Sequence, residues 1–338
     1  MKSIAIFNNK GGVGKTTLVA NLAAFLAKRK QKRILLIDAD PQCNATQAML
    51  SEREVENLYD TTPATKRETI WQVTQPTRAG RGFASSLPRR PVDNFKIDLL
   101  PGDPRLSLVE DVLSADWISA TGGQVRGMRT TLMFAKLLEK ASEYDFVFFD
   151  MGPSLGGLNR SVLLACNYFI VPTSIDIFSL QAIKNMASAL VQWRKRLNRG
   201  LGDLDDPDDL QVEYAGWQLH MLGYVTQQYI YRKDVFGKPR AVKAYDRLLR
   251  RVPVVVKKEM LERYEGLPDV PAESYQLGTI PYFHSLIPLS QQSRNPIFAL
   301  TGRDGVVGAH FTKVQEFEDV IEEIASNLSR RAQEVCQE

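Results

Sequence analysis

The chain has 338 residues, of which 44% are hydrophobic and 24% charged, with a net charge of +4. These proportions suit a folded globular protein and exclude a disordered, collagenous or disulfide-scaffold chain. Cys43, Cys166 and Cys336 are widely spaced and form no CxxC pair, which fits a reducing cytosol and argues against a zinc or iron–sulfur site.

The predicted elements alternate between strands and helices. Residues 4–7 form an apolar strand, too short for a signal peptide or a membrane span. A Gly-rich loop follows, then a helix over 16–30 with Leu18, Leu22, Phe25 and Leu26 at helical spacing. Further apolar runs at 34–37, 96–100, 146–149, 168–171, 219–225 and 278–280 read as strands. Strands separated by helices predict a doubly wound α/β domain with a mostly parallel sheet of about seven or eight strands. Residues 74–92, rich in Pro, Gly, Ser and Arg, read as an exposed loop insertion. Residues 227–276 read as a helical insertion. The acidic run Asp203, Asp205, Asp206, Asp208 and Asp209 reads as a solvated loop, with a carboxylate metal site as the alternative. No linker divides the chain, so a single domain over 1–338 is expected.

The informative segment is Lys10-Gly11-Gly12-Val13-Gly14-Lys15-Thr16-Thr17, set between a strand and a helix. Glycines let the backbone fold around phosphate oxygens with successive N–H groups pointing inward. The helix that begins there adds the positive end of its dipole. In such a loop Lys15 reaches the β- and γ-phosphates, Thr16 ligates Mg²⁺ and Thr17 can bond the α-phosphate. The implied cofactors are ATP and Mg²⁺.

Lys10 stands where the first glycine of a P-loop usually sits. The run KGGVGKTT, with Asp38-Ala39-Asp40-Pro41-Gln42 followed by Asn44-Ala45-Thr46, Leu99-Leu100-Pro101-Gly102, and Phe146-Val147-Phe148-Phe149-Asp150 followed by Pro153-Ser154-Leu155-Gly156, resembles the ParA/MinD family of deviant Walker A ATPases. Ile170-Val171-Pro172, Gly223-Tyr224-Val225-Thr226 and Ile280-Pro281 fit its later strands, so the resemblance covers nearly the whole chain. The departures are Met151-Gly152, where the chromosome-partition branch has Cys-Pro, and the long region 227–276; they bear on the subfamily.

The resemblance implies the following roles. Lys10 would reach across a dimer interface to the partner's phosphates, as an arginine finger does. Asp38 and Asp150 would hold Mg²⁺ through its waters. Asp40 would orient the attacking water, and Asn44 is a weaker interface or nucleotide candidate. As strand-end or turn residues, Asp38 and Asp40 have a plain capping role as the alternative. Pro281 and Tyr282, with Phe283, would lie against adenine, the alternative being simple packing. The implied partners are a second copy with ATP, nonspecific DNA, and a ParB-like or cargo protein that stimulates slow hydrolysis.

Residues 231–263 are basic, including Lys243, Arg247, Arg250 and Arg251, with Tyr229, Tyr231 and Tyr245 interleaved. Such a face can neutralise phosphates without reading sequence. Solvated surface or helix-end charge is the plain alternative. Arg78, Arg81, Arg89, Arg90, Arg194, Lys195, Arg196 and Arg199 would extend the patch. The C-terminal helix carries Val314, Phe317, Ile321, Ile324 and Leu328 on one face and acids on the other, so it is expected to pack on its own domain rather than on an anionic membrane. The chain starts at its first strand, so no N-terminal helix-turn-helix is expected. The resulting expectation is a cytoplasmic, nucleoid-associated partition ATPase that dimerises with ATP. The alternative is an orphan ParA-like switch acting on a protein cargo without DNA.

Overall fold

The structure is a computed structural model that describes residues 1–229, 231–233, 239–241, 247–283 and 285–334, with backbone alone for 228, 229, 231–233 and 239–241. Its strands are β1 (Lys2–Ile6), β2 (Ile34–Asp38), β3 (Arg90–Val92), β4 (Ile97–Leu100), β5 (Phe146–Asp150), β6 (Tyr168–Ser174), β7 (His220–Tyr229), β8 (Tyr231–Lys233), β9 (Pro239–Ala241) and β10 (Gln276–Pro281). Eight of them form one sheet in the order β10-β7-β6-β1-β5-β2-β4-β3, and β8 pairs with β9 in a separate ribbon. All the large-sheet pairings are parallel except β3 with β4.

The central strands are buried along their whole length, as in β2 (ILLID) and β5 (FVFFD). A strand covered on both faces must be continuously apolar, because successive side chains point to opposite faces. Ala5 and Phe7 accordingly enter one core, with the helices Ser107–Ala120, Gly157–Ala165 and Ile177–Gly202. Ile4 and Ile6 enter the other, with the helices Lys15–Lys30 and His310–Glu334. The C-terminal helix packs as its pattern predicts: Phe317, Ile321, Ile324 and Leu328 are buried, and Arg29–Glu318 and Lys30–Glu322 pairs tie it to the helix after the loop. No helix among the described residues is long and apolar enough to cross a membrane.

Two stretches differ from the sequence reading. The segment read as a loop over 74–92 begins inside the helix Ile70–Arg78 and ends in strand β3, so only 79–89 lies between elements. Pro76 and the nearby glycines masked a helical face on which Ile70, Val73, Thr74 and Thr77 are buried at i, i+3, i+4 and i+7. The region 227–276, read as helical, also carries the β8–β9 ribbon, ahead of the helical segments Arg251–Val255 and Val256–Glu265. Those segments bury Val252, Val256, Met260 and Tyr264 in the same core as the Ile177–Gly202 helix.

β1 lies between β5 and β6. The chain leaves its C-terminal end for a helix on one face and returns to β2 beyond β5, which makes this a topological switch point. In open α/β sheets, ligands bind at such a crevice.

Candidate functional site

The loop at the switch point is held from below. Asn8 donates from Nδ2 to the Pro172 carbonyl of β6 at 2.7 Å and accepts from the Lys10 N–H at 2.9 Å. Gly12 and Gly14 adopt φ of 71° and 72°, in the left-handed region. Gly14 needs glycine twice over, since a Cβ there would also stand 2.1 Å from Gln227 Oε1. Gly14 is the N-cap of the Lys15–Lys30 helix and no side chain caps it, so the first amides of the helix face the crevice.

Lys15 is 8% exposed and donates to the carbonyls of Asn8 and Lys10, each at 3.2 Å. Burial lowers its pKa, while Asp150 and Asp40 favour the charged form. Thr16 donates to Asp150 Oδ2 at 2.7 Å. Asp38 and Asp150 are register partners at the ends of β2 and β5, both fully buried or nearly so. Asp38 Oδ2 accepts from the N–H and hydroxyl of Thr46 at 2.8 and 2.6 Å, and Oδ1 from the Asp40 N–H at 3.3 Å. Asp150 Oδ1 is buried and has no hydrogen-bond partner. Burial, then the Asp38 charge, raises the Asp150 carboxyl well above the usual range. Burial also raises Asp38, although the Thr46 bonds oppose it. Asp40 accepts from the Gln42 N–H at 3.0 Å and lies beside Gly152.

The structure therefore brings Lys15, Thr16, Asp38, Asp40 and Asp150 to one crevice beside Gly11, Gly12, Val13 and Gly14. Inward amides with a buried ammonium suit a chain of phosphates. A hydroxyl beside a buried carboxylate with an unsatisfied oxygen suits a hard divalent cation. Lys10 is placed elsewhere: it pairs with Asp176 and donates to the Ser179 hydroxyl at 3.2 Å.

Thr17, Pro281 and Tyr282 line a small cavity of about 70 Å³ beside Gly14. Tyr282 is 43% exposed. Phe283 lines the same cavity and is buried, packed edge-on against Phe317 at 5.2 Å. Asn44 lies on an adjoining cleft of about 440 Å³, with Thr16, Thr17, Asn21, Gln47 and Arg294. Sequence reasoning passed over Gln227 and Asn21. Gln227 is a buried polar residue near the end of β7, and Asn21 is 2% exposed, accepting from the Ile297 N–H at 2.7 Å and donating to the Thr17 carbonyl at 2.8 Å. A lone amide in the apolar run LVANLAAFLA was the available signal for Asn21.

Arg247, Arg250 and Arg251 are exposed. Lys243 lies outside the described residues. Part of the supposed extension is engaged within the fold. Arg194 donates to the Tyr264 carbonyl at 2.9 Å and stacks on its ring, Arg89 binds Glu143 and Tyr144, and Arg78 lies over Trp71. In the acidic run Asp206 caps the short helix Pro207–Leu210, and the described residues contain no group of three or more His, Cys, Asp or Glu placed to hold a metal ion.

The AAA domain family model matches residues 1–202. The chain is similar to the chromosome-partitioning ATPase Soj of Thermus thermophilus, 34% identical over 200 residues, 59% of this chain and 65% of that protein. It thus spans just under two thirds of that relative. It is also similar to the sporulation initiation inhibitor protein Soj of Bacillus subtilis, 30% identical over 202 residues, 59% of this chain and 69% of that one. The crystal structure of protein DIP2308 from Corynebacterium diphtheriae superposes with a TM-score of 0.73 at 28% identity, covering 98% of this chain and 99% of the other. With the lysine-opened loop and the paired strand-end carboxylates, these matches place the chain in the ParA/MinD family of P-loop ATPases.

Proposed function

We propose that this protein is a nucleotide-controlled switch that binds ATP with Mg²⁺, self-associates in that state, binds DNA without regard to sequence, and hydrolyses ATP slowly until a ParB-like or cargo protein stimulates it. The observation that carries the reading is the Thr16–Asp150 contact, with the unsatisfied Asp150 Oδ1 beside it and Asp38 directly across. Thr16 and Asp150 would hold Mg²⁺, with Asp38 behind them, and the bound ion would neutralise phosphate charge. Lys15 would exchange its two loop carbonyls for phosphate oxygens, a stronger charge-assisted contact. Thr17, Pro281 and Tyr282 border the space beside Gly14 that suits the nucleoside. Asp40, buried beside Gly152, would orient the attacking water.

Self-association is supported by Lys10. Its side chain is 29% exposed, and beside its partner Asp176 the neighbouring Ile177 and Phe178 are 57% and 74% exposed. An apolar pair next to a movable cation suits an interface that forms once the cation swings away. DNA binding is supported by the exposed Arg247, Arg250 and Arg251. A dimer doubles this footprint, and two linked weak contacts gain effective concentration. The protein would then act in the cytoplasm, on the nucleoid.

The test is light scattering followed by a gel shift with long duplex DNA at low salt, using wild type and Asp40→Ala, each with and without ATP and Mg²⁺. The expected result is an ATP-dependent dimer that shifts DNA and persists in Asp40→Ala. An ATP dimer that leaves DNA unshifted would replace this reading with a switch acting on a protein cargo, and no ATP-dependent change in mass would remove the switch itself.

A further inference from the structure

The segment 151–156, which follows Asp150, lies between two parts of the site. A Cβ on Gly152 would stand 3.2 Å from Asp40 Oδ1, and one on Gly11 would stand 3.9 Å from Pro153 Cγ. The segment therefore backs both the carboxylate proposed to orient water and the phosphate loop. Neither contact is a hydrogen bond, so its position must be fixed from elsewhere.

Two side chains fix it. Asn159 is 2% exposed and its Nδ2 donates to the carbonyls of Gly152 and Ser154, both at 2.8 Å. Asn159 stands on the Gly157–Ala165 helix, whose N-cap, Gly156, has no side chain with which to cap it. Glu110, on the Ser107–Ala120 helix, supplies the missing cap from 47 residues away. Its carboxylate accepts from the Gly157 N–H and from the Leu158 N–H, the latter at 2.9 Å. A carboxylate at a helix N-terminus satisfies unpaired amides and meets the positive end of the dipole. The approach requires glycine: a Cβ at Gly156 would lie 2.3 Å from Glu110 Oε1, and one at Gly157 would lie 2.9 Å from Leu113 Cβ. Arg160 locks the same two helices, donating to the Leu113 carbonyl at 3.2 Å and stacking on Trp117 at 4.5 Å.

We infer that Glu110 and Asn159 are positioning residues for hydrolysis: Glu110 sets the Gly157–Ala165 helix, and Asn159 on that helix holds Gly152 and Pro153 against Asp40 and Gly11. The inference rests on the ATPase reading above. Both side chains bond backbone groups rather than the phosphate loop. Their effect passes through the backbone of 152–154, so it falls on turnover rather than on affinity, because placement of the attacking group matters only for the chemical step.

The experiment compares wild type with Glu110→Gln, Glu110→Ala and Asn159→Ala in the full chain. It measures single-turnover ATP hydrolysis, the Kd for a fluorescent ATP analogue, and the thermal melting point. Glu110→Ala and Asn159→Ala should each lower the hydrolysis rate by about ten-fold or more, the equivalent of one displaced catalytic contact. Affinity should stay within about two-fold of wild type. Glu110→Gln keeps an acceptor oxygen for one of the two amides and should fall between Glu110→Ala and wild type. Unchanged hydrolysis in both alanine variants would overturn the inference. So would rate and affinity falling together with the melting point, which is the signature of a merely structural role. A wild type that binds the analogue but never turns over ATP would instead sink the ATPase reading itself, and this proposal with it.

Discussion

Lys10 ends on Asp176, not on the loop that carries it: its ammonium pairs with the Asp176 carboxylate and donates to the Ser179 hydroxyl at 3.2 Å. Asp176 also caps the Ile177–Gly202 helix, accepting from the N–H groups of Phe178 and Ser179 at 2.9 and 3.0 Å. The cation proposed to cross to a second copy is thus held within its own chain. Asp176→Asn should release it while keeping the cap, since Asn caps about as well as Asp. A partly exposed pair is worth up to about 1 kcal/mol. With one such pair in each copy, ATP-dependent self-association should therefore tighten by up to about 30-fold, as read by light scattering across a protein dilution series. Unaltered self-association would mean that the pair does not restrain Lys10.

Lys15→Ala removes the one buried ammonium facing the loop carbonyls of Asn8 and Lys10. Hydrogen bonds to charged groups contribute about 1.5–3 kcal/mol each. ATP affinity should fall by at least about 30-fold, with little change in melting point, as measured by isothermal titration and thermal denaturation. Retained affinity would contradict the assignment of the phosphate site.

Asp150→Asn should stabilise the nucleotide-free protein. Burial and the facing Asp38 disfavour the Asp150 charge, and an asparagine amide at the unsatisfied Oδ1 position would face a carboxylate instead of repelling it. Relief of about one pKa unit corresponds to about 1.4 kcal/mol, which raises the melting point by a few degrees, about 2–6 °C for a domain of this size. The same variant should lose the extra stabilisation that Mg²⁺ adds to ATP in the wild type. A lower melting point without nucleotide would show that the Asp150 charge is not a source of strain.

Arg247→Glu with Arg251→Glu tests the basic face, because both side chains are exposed. Each phosphate contact contributes about 0.9 to the slope of log affinity against log salt. Losing two contacts in each copy should flatten the slope for the ATP dimer by about 3–4, with ATP affinity unchanged. Fluorescence anisotropy on duplexes of unrelated sequence gives the slope, and an unaltered slope would place the DNA surface elsewhere.

Gly14→Ala should be more damaging than an ordinary loop substitution. It adds a left-handed backbone penalty to a clash with Gln227 Oε1. Removing the clash with Gln227→Ala should recover only part of the lost melting temperature, because the backbone strain remains. Full recovery would show that the φ of Gly14 is not the constraint.

The parallel sheet, the glycine-rich loop and the strand-end carboxylates were legible along the chain, because each is a local pattern. Strands buried on both faces must be continuously apolar, so β2 and β5 could be read directly, and Asp38 and Asp150 fall at their ends by counting. Glycines that need a left-handed backbone, followed by Lys15-Thr16 and an apolar helix, are likewise visible without a fold. The helix Ile70–Arg78 escaped because Pro76 and its turn-forming neighbours outweigh its buried face in any local reading.

Which distant groups meet depends on the folded chain. Lys10 finds Asp176 across 166 residues, and Glu110 caps a helix that starts 47 residues later. Asn21, a lone amide in an apolar helical run, accepts from the Ile297 N–H, 276 residues away. No periodicity encodes such pairs. They form because the order β10-β7-β6-β1-β5-β2-β4-β3 brings separate loops to one end of the sheet, where a buried polar group must find a partner.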